Sequence, residues 1–336
     1  MKIRLSYMIP FLGIILVFIL YSAYWVYAKG RIEDEVTLWI MDQESAGYTL
    51  EQERLRVTGF PYRFKIEAVA PQIWAPIEDG GWSARLEGIS AHALPYDFSH
   101  WIIEFEGPVF FQADSDASET LQLEAGRARI SLNSNASGET TRIGAEIEQL
   151  SLEALTGPAS TIRSIDHAVL SGQITPDNLM QMSVEIAGLE TAPGIMSDRA
   201  AQVFGAAADT ARIRLSISQW SSLAREGDAA AWSRAGGEFH IAEAQLEWGP
   251  AQLSGSGDFT LDEQARPNGL LSLNITDPDT FTDALVEGGL FSEEQAMSMR
   301  LGALMSPRGP QGTSMTFRLH ECRAYFGPVP LGGFCE

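Results

Sequence analysis

The chain begins with a long uncharged segment that is unsuited to a water-exposed position. Residues 5–28 contain no Asp, Glu, Lys or Arg, and large apolar side chains are densest between positions 11 and 20. As a helix rising about 1.5 Å per residue, this segment extends over about 36 Å, which exceeds the roughly 30 Å hydrocarbon core of a bilayer. The sequence therefore predicts a transmembrane anchor at residues 5–28, preceded by a cytoplasmic tip at residues 1–4.

Aromatic side chains cluster at the C-terminal end of the predicted anchor. They are Tyr21, Tyr24, Trp25 and Tyr27. Amphipathic rings favour the headgroup level, so we expect these four to form a membrane-interface belt. Lys2 and Arg4 precede the anchor, and the positive-inside rule places that end in the cytoplasm, although Lys29 and Arg31 weaken the charge asymmetry.

A cleaved signal peptide is the alternative interpretation of this segment, since Val26 and Ala28 occupy the positions of a small-residue cleavage site. Tyr27 is bulky for such a site, and the apolar run is longer than a usual signal-peptide core, which favours the uncleaved anchor. Both interpretations export the rest of the chain. We therefore expect a single-pass protein of the bacterial inner membrane with its C-terminal bulk in the periplasm.

The charge balance limits the possible partners. The 336 residues contain 23 Lys and Arg against 44 Asp and Glu, a net charge of −21. A surface this acidic repels nucleic-acid phosphates, so no nucleic acid is expected as a partner. The expected partners are the inner membrane, through the N-terminal helix, and a lipid or an envelope protein.

Two cysteines, Cys322 and Cys335, lie thirteen positions apart near the end of the sequence. The segment between them is rich in Gly and Pro, which allows it to fold back on itself. In an oxidising compartment such a pair is typical of a disulfide that closes a short loop. Two unpaired thiols in a reducing cytoplasm are the alternative, and the predicted export favours the disulfide.

The remainder of the chain changes periodicity after the anchor. Ile32, Val36 and Trp39 recur at helical spacing, so residues 29–47 are predicted to form an amphipathic juxtamembrane helix that continues the anchor and ends near Gly47. From residue 48 onward, apolar and polar residues alternate in many short runs. The predicted organisation is a first β-rich half (48–190), a linker or irregular segment (191–209) and a second β-rich half with helices (210–336).

The alternating runs predict the fold class. Ile213, Leu215 and Ile217 alternate with polar residues, as they do in half-buried strands. Some runs change phase near Gly126 and between residues 147 and 150, which indicates turns or bulges. We therefore expect a mainly β (α+β) protein, with a large curved antiparallel sheet or roll and covering helices at residues 220–234, 277–287 and 292–305.

Several short motifs carry a family resemblance. They are Ala46-Gly47-Tyr48, Gly59-Phe60-Pro61-Tyr62-Arg63, Trp248-Gly249-Pro250, Pro267-Asn268-Gly269 and Val329-Pro330-Leu331-Gly332. With the anchor, they make the chain similar to a bacterial membrane-anchored family known only as a domain of unknown function, number twenty-one twenty-five. That resemblance implies no activity and no catalytic residues. Residues 257–275 also resemble the C-terminal repeats of AsmA-like envelope proteins, which implies a hydrophobic groove associated with lipid movement.

The sequence contains no arrangement typical of catalysis or of metal binding. The five histidines are far apart, and residues 254–257 lack the Gly-x-Ser-x-Gly frame of a nucleophile elbow. Asp114, Asp116 and Glu119 lack the spacing of a calcium loop and are expected to form a solvated loop. We therefore predict no catalytic residue, no cofactor and no metal.

Three functions are compatible with these features. The leading hypothesis is a non-enzymatic protein anchored in the inner membrane that binds lipid or another apolar ligand in a curved β-sheet. The first alternative is an envelope scaffold or a protein that docks partners. The second is a hydrolase of envelope glycans or peptides, in which carboxylates such as Glu104, Glu106, Asp114 or Asp116 would meet in a cleft.

Overall fold

The fold is mainly antiparallel β-structure with one long N-terminal helix and five shorter helices among the described residues. The computed structural model describes residues 9–114, 118–158, 160–192, 194–226, 229–262, 264–309, 312–320, 322–326 and 329–333. The helices are α1 (Ile9–Ser45), α2 (Asp198–Phe204), α3 (Trp220–Glu226), α4 (Ala229–Arg234), α5 (Pro278–Glu287) and α6 (Glu293–Met305), with a 3₁₀ turn at Ile77–Asp79. The predicted fold class is confirmed.

The strands follow one another closely along the chain. They are β1 (Thr49–Glu51), β2 (Arg54–Thr58), β3 (Phe64–Val69), β4 (Gln72–Trp74), β5 (Ser83–Leu94), β6 (Asp97–Gln112), β7 (Thr120–Glu124), β8 (Arg127–Ser134), β9 (Thr140–Thr156), β10 (Ile162–Ile174), β11 (Met180–Thr191), β12 (Ala207–Ile217), β13 (Phe239–Trp248), β14 (Ala251–Leu261), β15 (Pro267–Ile275), β16 (Arg308–Gly309), β17 (Gly312–His320), β18 (Arg323–Phe326) and β19 (Val329–Gly333).

Helix α1 runs without a break from the apolar segment into the charged segment that follows. Its 37 residues extend over about 55 Å. The large apolar side chains between positions 11 and 20 are all more than half exposed, as expected for side chains that face lipid. The helix is long and apolar enough to cross a membrane. It ends before Gly47, whose φ of +93° is typical of a C-terminal helix cap.

The chain divides into two compact units. Unit 1 comprises residues 1–123, 131–136 and 154–158, and unit 2 comprises residues 124–130, 137–153 and 159–336. The segment predicted as an irregular linker, residues 191–209, contains helix α2. Ser197 caps this helix, since its hydroxyl accepts a hydrogen bond from the Ala200 N–H at 3.2 Å.

In unit 1, helix α1 packs against a small antiparallel sheet. Strands β2 and β3 form a hairpin, and β5 pairs with β3, β4 and β6. Trp25 and Ala28 of α1 form a buried cluster with Val57 of β2 and Phe64 of β3. This cluster attaches the C-terminal half of α1 to the sheet.

In unit 2, strands β9 to β15 pair in chain order, and β17 follows β15. Helices α2, α5 and α6 supply Phe204, Leu285 and Met299 to a core that contains Ile275 and Phe317 of the sheet. Helix α4 supplies Trp232 to a second cluster, with Met180 of β11 and Ile217 of β12. The helices therefore cover two separate regions of the sheet.

Some local sequence signals predicted the bounds of helices and strands correctly, and others did so only in part. The change of phase in β9 occurs at Gln149, which has a φ of +53°. The predicted helix at residues 220–234 is two helices, α3 and α4, separated by residues outside the described set. Asp277 caps α5 and Ser292 caps α6 as their positions in the sequence predict, and Gln295 completes the capping box of α6.

Candidate apolar binding surfaces

One face of the unit 2 sheet carries a continuous set of aliphatic side chains. The register places Val184 of β11 opposite Ile213 of β12 and Leu170 of β10, and residues directly opposite in an antiparallel pair lie on the same face. We call the following ten residues the open face. They are Ala145, Ile147, Ala168, Leu170, Val184, Ile186, Ala211, Ile213, Ala244 and Leu246.

The open face is not covered by the described helices. All ten of its residues are half-buried, and none of them belongs to the two helix-packed cores of unit 2. Folded proteins expose single apolar residues routinely, but contiguous exposed apolar patches are uncommon and mark interaction sites. The open face therefore has the character of a binding surface.

The opposite face of the same strands is polar. Arg212 donates hydrogen bonds to both carboxylate oxygens of Glu185, at 2.7 and 3.0 Å, and a third to Gln245. The hydrogen bond from Arg212 lowers the pKa of Glu185. On β12 and β13, Arg214 donates one hydrogen bond to the Glu243 carboxylate. This face is suited to water, so the two faces of the sheet differ sharply in polarity.

Unit 1 contains a second apolar feature, a groove of about 570 Å³ between α1 and the sheet. The predicted helical stripe contributes Ile32, Val36 and Trp39 to the groove, and the sheet contributes Phe98 and Trp101. Arg31 and Glu35 also line it and form an ion pair with each other at 3.0 Å. The volume is within the range of ligand sites, although apolar residues are also needed here for helix packing.

The four residues of the predicted membrane-interface belt have different environments. Tyr24 and Tyr27 are exposed, whereas Tyr21 is half-buried and its hydroxyl donates a hydrogen bond to the Pro61 carbonyl. Trp25 is only 7% exposed and packs on Phe64 in the core of unit 1. Trp25 therefore contributes to packing between the helix and the sheet, and the belt itself stays a prediction.

Ser90, His92 and Glu104 form a group whose composition resembles a hydrolytic triad. The Ser90 hydroxyl and the Glu104 carboxylate both lie 3.2 Å from Nε2 of His92, and Nδ1 has no partner among the described residues. A triad needs the nucleophile and the acid on different ring nitrogens. Burial and nearby Arg63 lower the pKa of His92, and Ser90 is almost fully buried. This geometry does not activate a nucleophile that a substrate can reach.

The carboxylates considered for a hydrolase are not assembled in a cleft among the described residues. Glu104 faces His92, Glu106 lies 3.9 Å from Lys65, and both side chains are at least half exposed. Asp114 accepts a hydrogen bond from the Ser118 N–H, and Asp116 lies outside the described residues. No set of three His, Cys, Asp or Glu side chains in the described part of the chain is placed to hold a metal ion.

The predicted disulfide falls partly outside the described residues. Cys322 lies in the turn between β17 and β18, and Cys335 is not described. Strand β18 pairs with β19, with Arg323 opposite Gly333. This register brings together the start of β18 and the end of β19, and in the sequence each cysteine lies within two residues of one of these strand ends. The disulfide itself stays a prediction.

Comparison with known proteins identifies the family. The profile described as "Uncharacterized protein conserved in bacteria (DUF2125)" matches residues 25–334. The chain belongs to this family. No curated protein and no solved structure matches the chain. Membership in DUF2125 confirms the resemblance drawn from the short motifs, whereas the similarity to AsmA-like proteins is not shown.

The DUF2125 match begins at Trp25, after the apolar run at positions 11–20. It includes the strands of the open face and most of the groove beside α1. Sequence reasoning missed the open face because alternation looks the same in a covered and an uncovered sheet. The signal that could have found it was the alternation in β9, β10 and β11, which follow one another along the chain without an intervening helix.

Proposed function

We propose that this protein binds a lipid acyl chain, or a ligand of similar apolar character, on the open face of unit 2 while α1 holds it at a membrane. The observation that carries the proposal is the open face itself, whose ten aliphatic residues keep access to solvent in the described structure. Covering such a surface with an apolar ligand is favourable by about 25 cal/mol per Å² of apolar area removed from water.

The dimensions of the open face support an acyl chain as the ligand. Its five strands, β9 to β13, lie about 4.8 Å apart, so the face is about 19 Å wide from the first strand to the last. One leaflet of a bilayer is about 15 Å thick in its hydrocarbon part, which is the length of its chains. The face is aliphatic throughout, so it would recognise the chain and not a particular headgroup.

The proposed location is the bacterial inner membrane, with unit 2 and the part of unit 1 that follows the membrane-spanning segment in the periplasm. The supports are the apolar segment of α1, the two positive residues that precede it and the acidic remainder. Fusion of alkaline phosphatase, which is active only after export, to the C-terminus tests this orientation. Active phosphatase is the expected result, and an inactive fusion beside a fluorescent cytoplasmic reporter fusion would refute the orientation.

Native mass spectrometry of the full-length protein, extracted in mild detergent, tests the function. We expect the wild-type protein to retain bound lipid as a defined mass increment. Val184→Glu places a charge on the open face and should remove that increment. Ser183→Glu is the matched control, because Ser183 is the adjacent half-buried residue of β11 and lies on the polar face.

The variants also separate loss of binding from loss of folding. Val184→Thr is nearly isosteric and reduces apolarity without adding charge, so we expect partial loss of lipid with circular dichroism unchanged. A native mass spectrum of the wild-type protein that shows no bound lipid contradicts the proposal. Equal retention of lipid by Val184→Glu and Ser183→Glu also contradicts it. A protein mass increment in place of lipid would favour the scaffold or partner-docking alternative.

A further inference from the structure

Two turns of unit 1 lie against the part of α1 that leaves the predicted membrane segment. The first joins β2 to β3 and contains Phe60, Pro61 and Tyr62, and the second joins β5 to β6 and contains Pro95 and Tyr96. Gly59 begins the first turn with a φ of +103°, and its carbonyl accepts hydrogen bonds from the Tyr62 and Arg63 N–H groups.

Direct contacts attach both turns to α1. The Tyr21 hydroxyl donates to the Pro61 carbonyl, and the Tyr24 hydroxyl donates to the Pro95 carbonyl at 2.6 Å. The Phe60 ring lies 6.1 Å from the Phe18 ring, centroid to centroid. The first turn therefore reaches the level of Phe18, which belongs to the apolar run of the anchor.

The length of the anchor places this level at the bilayer surface. A helix needs about 20 residues to cross the hydrocarbon core, and counting from Leu5 the crossing ends near Tyr24. The two turns contact α1 between Phe18 and Trp25, around this position. The turns therefore lie where the aromatic belts of membrane proteins are found.

The side chains at the turn tips suit this environment. Tyr62 is 82% exposed and Tyr96 is 83% exposed. Together with Tyr21, Tyr24, Pro61 and Pro95 they line a cleft of about 430 Å³ that contains no charged side chain in its lining. Tyrosine rings are apolar at one end and polar at the other, which suits a boundary between lipid and water.

We propose that the two turns are a second membrane contact of unit 1, in which Tyr62 and Tyr96 insert into the headgroup region of the same bilayer that holds α1. The contact depends on aromatic side chains and not on charge, so it does not select anionic lipids. It fixes unit 1 against the membrane surface and prevents rotation about the end of α1. This contact is independent of ligand binding on the open face.

Photo-crosslinking of the full-length protein in its own membranes tests this contact. Tyr62 and Tyr96 are replaced, one at a time, by p-benzoyl-phenylalanine, which preserves an aromatic ring at each turn. Ile77 provides the matched control, since it is 83% exposed and lies near the start of β5. The Pro95–Tyr96 turn lies at the other end of β5, about 36 Å away along the strand.

After irradiation, mass spectrometry of the labelled peptides should detect phospholipid adducts at positions 62 and 96 several-fold above those at position 77. The headgroups of the adducts should match the composition of the membrane. Adducts at positions 62 and 96 no more abundant than at position 77 would overturn the proposal, and so would adducts of a single lipid species. The crosslinking at positions 62 and 96 should be the same in the Val184→Glu variant, whether or not that variant has lost lipid from the open face.

Discussion

Trp25 of α1 stacks on Phe64 of β3, with the ring centroids 5.0 Å apart and the ring planes 12° from parallel. Phe64 is completely buried, and the Phe60 ring packs edge-on against Trp25, with the two ring centroids 5.4 Å apart. This relationship joins the end of the anchor to the first hairpin of unit 1. It makes the anchor helix part of the folded structure of that unit.

Truncation of this contact should destabilise unit 1. Phe64→Ala removes a fully buried ring, and such substitutions lower the free energy of unfolding by about 3–5 kcal/mol. Urea denaturation of the detergent-solubilised full-length chain, followed by tryptophan fluorescence, measures the change. Trp39→Ala is the control, because Trp39 lies in the C-terminal part of α1 and is 53% exposed. This substitution should lower the free energy of unfolding by less than about 1 kcal/mol. Equal effects of the two substitutions would contradict the assigned packing.

A second prediction concerns the contact between Gly237 and Trp232 in unit 2. A Cβ atom at position 237 would lie 2.1 Å from a Trp232 ring atom, and Trp232 is fully buried with its Nε1–H bonded to the Ser218 carbonyl at 2.7 Å. Gly237→Ala should therefore lower the free energy of unfolding by about 1–3 kcal/mol. A melting curve by circular dichroism measures the effect.

Gly309→Ala is the matched control for this prediction. A Cβ atom at position 309 would have no neighbour within 4 Å among the described atoms, so the melting temperature should be nearly unchanged. If Gly237→Ala melts like Gly309→Ala, then the Trp232 ring does not pack directly against Gly237.

A third prediction concerns pH. The Lys65 ammonium, 2.7 Å from Glu67, lowers the pKa of that carboxyl, and Arg56 at 2.8 Å adds to the effect. A lowered pKa in the folded state means that the ion pairs stabilise the fold fully above the ordinary value of about 4.5 and lose this effect as the pH falls through the folded value. The contribution is about 1 kcal/mol or less, as for other partly exposed pairs.

Comparison of the wild type with Glu67→Gln isolates this contribution. At pH 7 the variant should unfold at lower urea concentration than the wild type, and the difference should shrink below pH about 4.5. A difference that is constant from pH 7 to pH 3 would show that the carboxylate charge does not stabilise unit 1.

Sequence periodicity was a good guide to elements whose signal is local. The alternation around Ile213 predicted β12, and Asp277 and Ser292 marked the beginnings of α5 and α6, because strand faces and helix caps depend on nearby residues. Helix α2 was missed because it has only seven residues in a segment rich in Gly, Ala and Pro. Such a short helix depends on packing, here through Phe204, more than on its own propensity.

The candidate sites could be predicted only in part, because they depend on distant contacts. Val184 and Ile213 have the same alternating pattern whether or not a helix covers them, so the open face was not visible in the sequence. Trp25 was assigned to the membrane interface by its position, whereas its burial depends on Phe64, which is remote in sequence. The bond between Tyr24 and Pro95 likewise joins residues 71 positions apart.

The last prediction is the disulfide between Cys322 and Cys335. The full-length protein is purified from membranes with an alkylating agent present and without reductant, and its peptides are analysed by mass spectrometry. We expect one linked peptide pair, lighter by the two hydrogens lost on oxidation, because the β18–β19 pairing brings the neighbouring strand ends together and the periplasm is oxidising. Cys322→Ser should leave Cys335 alkylated and should lower the stability of the C-terminal strands by about 2–3 kcal/mol. Alkylation of both cysteines in the wild type would contradict the disulfide and would also argue against a periplasmic location, since both predictions depend on export of the same part of the chain.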